Sequence, residues 1–153
     1  MRVIKNEKIE EIIFNASVRL MEGGYEAYYD PRTDLIRMPY KRFFRDTEAY
    51  YSTLLHELSH WSGHHSRLDR FAAYNRSSQD YAREELVAEI ASMFLSAETG
   101  LRQTPEHFAN HASYVASWIS LLEADPNAIF TASAEAKKAA DFILSFRNKE
   151  DLP

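Results

Sequence analysis

The sequence of 153 residues contains no cysteine, only four glycines and no long hydrophobic run. Without cysteine the chain can form neither disulfides nor thiolate metal sites, so a metal ion would have to be held by histidine and carboxylate side chains. No apolar stretch approaches the ~18 residues that a membrane-spanning helix needs. The charged start, residues 1–7, has no apolar segment typical of a signal peptide, so a cytoplasmic location is expected.

The composition is sufficient for one folded domain. Hydrophobic residues make up 45% of the chain and aromatic residues 13%, which argues against disorder. At the usual ~100–200 residues per domain, we predict a single domain over residues 1–153. The formal net charge is −5, whereas nucleic-acid-binding proteins are usually basic, so a general nucleic-acid binder is not indicated.

The apolar patterns predict an α+β domain with a small antiparallel sheet, or hairpin, and about five helices. A first helix is predicted over residues 6–21, ended by two glycines. Strands are predicted at residues 25–29 and 35–38, with turn residues 30–34 between them. Capping residues and Pro105 predict four further helices, at about residues 47–61, 77–100, 104–124 and 132–147.

The chemically informative stretch is His56-Glu57-Leu58-Ser59-His60. Residues four apart lie on the same face of a helix, so both imidazoles can face one point, as a tetrahedral zinc ion requires. Glu57 lies ~100° from His56 around the helix and suits the role of general base for a metal-activated water. The core stripe of this helix is predicted to be Tyr51, Leu54, Leu58 and Trp61. The plain alternative is two surface histidines on an amphipathic helix.

A zinc ion needs a third protein ligand, and two spacings can supply one. In the pattern HExxHxxGxxH, Gly63 is in place but position 66 is Ser66 rather than histidine, so this option fails and Gly63 is interpreted as a plain helix end. The second option takes a glutamate from the following helix. We predict Glu85 as the third ligand and Glu89 as the acceptor that orients a ligand histidine, and the swapped assignment remains open.

The assignment of these glutamates depends on the apolar face of their helix, which is predicted to comprise Leu86, Ile90, Met93 and Ala97. Glu85 and Glu89 border that face, and a charge against an apolar stripe is costly unless it is paired. A metal ion or a metal-bound histidine N–H would pair it. Glu84 points nearly away from the apolar face, so we expect it in solvent.

Together these motifs resemble a known family. The runs YYSTLLHELSHWSGHHSRLDR (50–70), YAREELVAEIA (81–91) and YVASW (114–118), with the hairpin at 27–39, are similar to the zincin-like metallopeptidase domain at the C-terminus of ArdC-type antirestriction proteins and TraC-type plasmid primases. The resemblance implies a minimal gluzincin-like fold with zinc on His56, His60 and Glu85, Glu57 as base, and a setting on plasmids or other mobile elements. Members typically carry an N-terminal domain that binds single-stranded DNA. The sequence begins where the peptidase-like domain begins, so DNA binding is not carried over.

We therefore predict a zinc-dependent peptidase with a protein or peptide substrate and no membrane partner. The resemblance suggests a host-defence protein as that substrate. Leu35–Met38 is predicted to bind an extended substrate by strand-edge pairing. The alternative is a metal-stabilised binding module that blocks a restriction or other defence protein without cutting it. A metal-dependent nuclease is a weaker interpretation, because such enzymes usually gather more carboxylates around two metals.

Five further positions are secondary candidates. His107 and His111 are four residues apart and are expected in ordinary solvent-facing roles. If their helix passes the cleft, His111 or Tyr114 is a candidate donor to the oxyanion, although a core role is favoured for Tyr114. Arg67 follows the zinc helix and is expected either to pair with an acid or to meet substrate, and the same holds for Arg70.

Overall fold

The computed structural model describes residues 3–73, 77–102, 112–148 and 150. Within them the chain forms five α-helices, which are α1 (Glu7–Asn15), α2 (Thr47–Trp61), α3 (Ser78–Thr99), α4 (Ala112–Ala124) and α5 (Ala128–Leu144). Three short strands are β1 (Leu20–Glu22), β2 (Tyr28–Asp30) and β3 (Leu35–Met38). The α+β class with a small sheet and five helices is confirmed. No helix in this part of the chain is long and apolar enough to cross a membrane.

The sheet is mixed, with the strand order β1-β3-β2. β2 and β3 pair antiparallel, with Tyr29 opposite Ile36, so the predicted hairpin is confirmed. β1 pairs parallel to β3 and lies within residues predicted to be helical, so that part of the prediction is wrong. The first helix ends at Asn15 because Ser17 adopts a left-handed φ of 53°, which turns the chain out of the helix and into β1.

The central position of β3 has a consequence for substrate binding. Its main-chain groups face β1 on one side and β2 on the other. The prediction that Leu35–Met38 binds a substrate by edge pairing is therefore wrong, because that strand has no open edge. The outer strand on the hairpin side is β2.

Helix α2 lies at the centre of the molecule. The Asp46 side chain caps it by accepting from the backbone N–H of Ala49. The predicted core stripe of Tyr51, Leu54, Leu58 and Trp61 is at most 3% exposed, and Leu55 on another face is fully buried as well. A helix that is buried all round packs against neighbours on every side. The histidines and glutamate of the HExxH motif are therefore also drawn inside the fold.

Helix α3 packs against α2, α4 and α5. Ser77 caps its N-terminus, and Gly100 ends it with a left-handed φ of 72°, as the capping residues indicate. The predicted apolar face is wrong in its second half, because Met93 is 41% exposed while Ser92 and Ser96 are buried. The buried side of α3 therefore includes small polar side chains beside large apolar ones such as Leu95, which a hydrophobic pattern alone does not predict.

Helix α5 begins at Ala128 and ends at Leu144, about four residues before the predicted start and three before the predicted end. Its start is early because Asn127 already has helical dihedral angles, and the Asp125 carboxylate accepts from the Asn127 backbone N–H. Four buried alanines of this helix pack in one cluster with residues of α3: Ala128, Ala132, Ala136 and Ala139.

Helix α4 ends at Ala124 as predicted. Its predicted start at Thr104 lies outside the described residues. The same holds for His107, His111 and the side chain of Tyr114.

Candidate metal centre

Three side chains from α2 and α3 converge at one point. The Nε2 atoms of His56 and His60 lie 3.2 Å apart. Glu85 Oε2 is 3.0 Å from His56 Nε2, and Glu85 Oε1 is 3.1 Å from His60 Nε2. In a tetrahedral zinc site with bonds of ~2.0–2.1 Å, neighbouring ligand atoms lie about 3.3 Å apart. The three side chains are therefore spaced like three corners of such a site.

The other ring nitrogens of both histidines face carboxylates. His60 Nδ1 lies 2.7 Å from Glu84 Oε2, and His56 Nδ1 lies 3.3 Å from Glu89 Oε2. A carboxylate beside Nδ1 holds the proton there and leaves a lone pair on Nε2. Once the Nε2 protons are lost, two imidazole lone pairs and a Glu85 oxygen converge at one point, an arrangement that a cation stabilises. This donor set suits Zn²⁺ and chemically similar divalent ions.

The position of Glu84 differs from the prediction. It was expected in solvent, but it is only 7% exposed. Its Oε1 accepts from Arg70 Nε at 2.7 Å, and its Oε2 accepts from Arg70 Nη2 at 2.9 Å. Burial disfavours the charged form, yet the hydrogen bonds from Arg70 and His60 lower the pKa of Glu84 to about 2. The solvent prediction fails because the segment after α2 covers this face of α3.

The two histidines have raised pKa values in the absence of metal. Burial opposes the charged form of His56, but hydrogen bonds to Glu85 and Glu89 outweigh it and raise the pKa of His56 to about 9. Burial also opposes charging of His60, and Glu84 and Glu85 together raise its pKa well above the ordinary value. The carboxylates therefore require positive charge at this point, which protons supply when no metal ion does.

A cavity of about 360 Å³ opens beside these groups. Glu57 lines it together with the converging side chains and is only 9% exposed. The remaining lining comes from the hairpin region, from the segment after α2 and from the start of α3. It comprises Ala27, Tyr28, Tyr29, Pro31, Phe71 and Tyr81. The predicted base thus lines the same cavity as the predicted ligands and several aromatic side chains.

An ion pair holds the hairpin wall of this cavity. Arg67 Nη1 donates to Asp34 Oδ2 at 3.1 Å, a second bond joins Nη2 to Oδ1, and Tyr29 donates to Asp34 at 2.7 Å. The Arg67 guanidinium also lies 3.9 Å from the ring centroid of Trp61. Of the two roles expected for Arg67, the structure shows pairing with an acid. This pair links β2 and β3 to the end of α2.

Gly63 is more than a helix end. Its φ is not in the left-handed region, so freedom of the backbone does not explain the glycine. A Cβ atom at this position would lie 2.8 Å from Arg70 Nη2 and 2.9 Å from Cζ of Phe71. The sequence interpretation missed this role, because only the position of Arg70 shows that a side chain at residue 63 would collide with it.

Comparison with known proteins places the chain and its fold in a family. A family model described as zincin-like metallopeptidase matches residues 7–135. The chain belongs to this family, as the sequence resemblance implied. The DNA primase TraC of Escherichia coli is 46% identical over 145 residues, which cover 94% of this chain and 13% of TraC.

Two crystal structures of the antirestriction protein ArdC from plasmid R388 have the same fold. The metal-free structure superposes with a TM-score of 0.81 at 36% identity, and the Mn(II)-bound structure gives 0.81 at 37% identity. Each match covers 95% of this chain, but only 52% and 55% of ArdC, respectively. The chain therefore spans about half of ArdC and a much smaller part of TraC. A relative with this fold binds a divalent metal ion, and His56, His60 and Glu85 are a residue set that could hold one here.

Proposed function

We propose that the protein is a metal-dependent peptidase in which His56, His60 and Glu85 hold Zn²⁺ and Glu57 is the general base. The observation that supports this most is the convergence of three acceptor atoms, all within 4.8 Å of one another, beside a cavity that Glu57 also lines. When bound, Zn²⁺ supplies Lewis acidity toward a carbonyl group and lowers the pKa of water.

The side chains of the chain supply the proton transfers and the orientation. Glu57 takes the proton of the attacking water and delivers it to the leaving amine, as a carboxylate beside the reacting atoms can do. Glu89 and Glu84 hold the rings of His56 and His60 through the Nδ1 atoms. The buried positions of these groups keep bulk water away from the reacting atoms.

The substrate we propose is an extended peptide segment of a host restriction or defence protein. ArdC, whose structures match this fold, is an antirestriction protein, and such a target places the activity in the cytoplasm. β2 is the outer strand on the cavity side, so a peptide can add to it through main-chain hydrogen bonds. The cavity volume lies within the usual ~300–1,000 Å³ of ligand sites. The aromatic rings of Tyr29, Phe71 and Tyr81 offer apolar contacts for alternate side chains.

The experiment compares Glu57→Gln with the parent protein on a peptide library derived from a bacterial proteome. Glu57→Gln should keep the metal and lose cleavage by about 10²–10⁴-fold. Glu98→Gln is the matched control, since Glu98 lies on α3 with its side chain 56% exposed. Cleavage by Glu57→Gln at the parental rate would refute the assigned role, and absence of cleavage by the zinc-loaded parent would refute the peptidase itself.

A second candidate is a metal-stabilised module that blocks a defence protein without hydrolysis. The observation in its favour is that ArdC, which has the same fold, is an antirestriction protein, and blocking a restriction enzyme requires binding alone. An antirestriction assay in cells separates the two functions. Full protection by Glu57→Gln would support the binding module, and loss of protection with zinc retained would support the peptidase.

A further inference from the structure

Arg70 is a cation buried beside the proposed metal centre. Its side chain is only 4% exposed, and among the described residues it is the one lysine or arginine in the buried class. The same site contains four buried carboxylates, those of Glu57, Glu84, Glu85 and Glu89, each at most 9% exposed, and Arg70 contacts that of Glu84. A buried cation in such a place has a large desolvation cost, which only close contacts can offset.

Hydrogen bonds link Arg70 to both the backbone near His60 and the carboxylate that faces the His60 ring. Its Nη2 donates to the Ser59 carbonyl at 2.8 Å and its Nη1 to Ser62 Oγ at 3.2 Å, so the guanidinium is anchored on the end of α2 that carries His60. Its Nε and Nη2 bind both oxygens of Glu84. Glu84 Oε2 in turn lies 2.7 Å from His60 Nδ1. The fork of Arg70 therefore fixes the carboxylate that faces the histidine.

The absence of a side chain at Gly63 leaves space for the guanidinium of Arg70. A methyl group there would meet the guanidinium at 2.8–2.9 Å, closer than side chains pack. The backbone of residues 63 and 70 is joined as well, because the Arg70 N–H donates to the Gly63 carbonyl at 2.9 Å. The loop after α2 is thus built to bring one arginine against one glutamate.

We propose that Arg70 is a positioning residue of the metal centre, which acts through Glu84 to hold His60 with Nε2 toward Glu85. This inference rests on the proposed metal site. A guanidinium binds a carboxylate through two parallel hydrogen bonds, whereas a lysine offers a single point charge. The geometry of the fork, and not the charge alone, should therefore determine how well the site binds metal.

The test measures Zn²⁺ affinity by competition with a chromophoric chelator, and the visible spectrum of the Co²⁺-loaded protein as a report of coordination geometry. Arg70→Gln should weaken Zn²⁺ binding by about 10–100-fold and alter the Co²⁺ spectrum. Arg70→Lys should recover only part of the affinity. The matched control is Arg67→Gln, which loses an ion pair three residues away that contacts neither Glu84 nor His60, and it should stay within about threefold of the parent.

Two other results would overturn this role of Arg70. Equal Zn²⁺ affinity in Arg70→Gln and Arg67→Gln would overturn the role of Arg70 while leaving the metal site intact. Failure of the parent to bind Zn²⁺ would overturn the metal site and the inference with it. If Arg70→Gln does not fold, Gly63→Ala and Arg70→Lys provide the test: at least threefold weaker binding supports the inference, and parental affinity in both overturns it.

Discussion

Binding of Zn²⁺ should expel protons from the site, and their number follows from the raised pKa values of the two histidines. In the metal-free protein, His56 has a pKa of about 9 and that of His60 is also raised. Both imidazoles must lose the Nε2 proton before they can bind a metal ion. The metal therefore competes with protons that an ordinary imidazole would not hold at neutral pH.

The magnitude follows from simple titration. Two ordinary imidazoles with a pKa near 6.5 would release about 0.5 proton at pH 7 and less than about 0.1 at pH 8. His56 with a pKa of about 9 is still about 90% protonated at pH 8. The two Nε2 atoms lie 3.2 Å apart, so two protonated imidazoles repel each other and the second proton binds more weakly than the first. We expect the two histidines to release between about one and two protons at pH 7, and about one at pH 8. Protons lost by water bound to the metal add to this number.

Isothermal titration calorimetry measures this number directly. Zn²⁺ is titrated into the metal-free protein in buffers of different ionisation enthalpy at one pH, and the slope of the observed enthalpy against the ionisation enthalpy is the number of protons released. The series is run at pH 7 and again at pH 8. A release below about 0.2 proton at pH 8 would refute the reasoning, because it would mean that the carboxylates do not hold a proton at this centre.

Three further predictions concern the metal content and the stability. Glu85→Ala should lower the zinc content, measured by elemental analysis, from one ion per chain toward none, whereas the control Glu98→Ala should retain it. Equal zinc in both variants would show that Glu85 is not the third ligand, and Glu89 would be the next candidate. In the metal-free protein, protonated His56 stabilises the fold, because its pKa is higher in the folded state than in the unfolded state. This contribution, on the order of 3 kcal/mol, is complete below the ordinary pKa and should be lost as the pH rises through about 9. Equal free energies of urea unfolding at pH 6 and pH 10 would contradict this prediction. Asp34→Asn removes the negative charge that pairs with Arg67, so it should lower the free energy of unfolding by about 1–3 kcal/mol in the same assay. An unchanged unfolding midpoint would show that this ion pair does not contribute to stability.

The sequence predicts best those elements whose ends are determined locally. The ends of α2 and α3 follow from Asp46 and Ser77, which cap them through their own side chains. β3 is bounded by turn residues on one side and Pro39 on the other. β1 escaped prediction because its pairing is parallel and joins residues 16 positions apart, as Leu20 and Ile36 show. No local pattern distinguishes such a strand from the end of a helix.

The site shows the same division between local and tertiary information. The spacing of His56 and His60 is a property of one helix, and the structure does place both rings together. The prediction that Glu84 lies in solvent is wrong, because the hydrophobic pattern of α3 alone does not show that another segment covers the face of α3 that carries Glu84. Arg70 provides that cover, and its partner is identified only when the loop after α2 is folded. A buried carboxylate paired with a distant arginine therefore has no signature within its own helix.

The enclosure of α2 on every side means that the framework around His56 and His60 comes from the core and not from a bound ion. Small zinc domains behave differently, since many of them unfold when their ion is removed. If the proposed metal site is correct, removing the ion should inactivate the protein and leave it folded, and adding the ion back should restore activity without refolding.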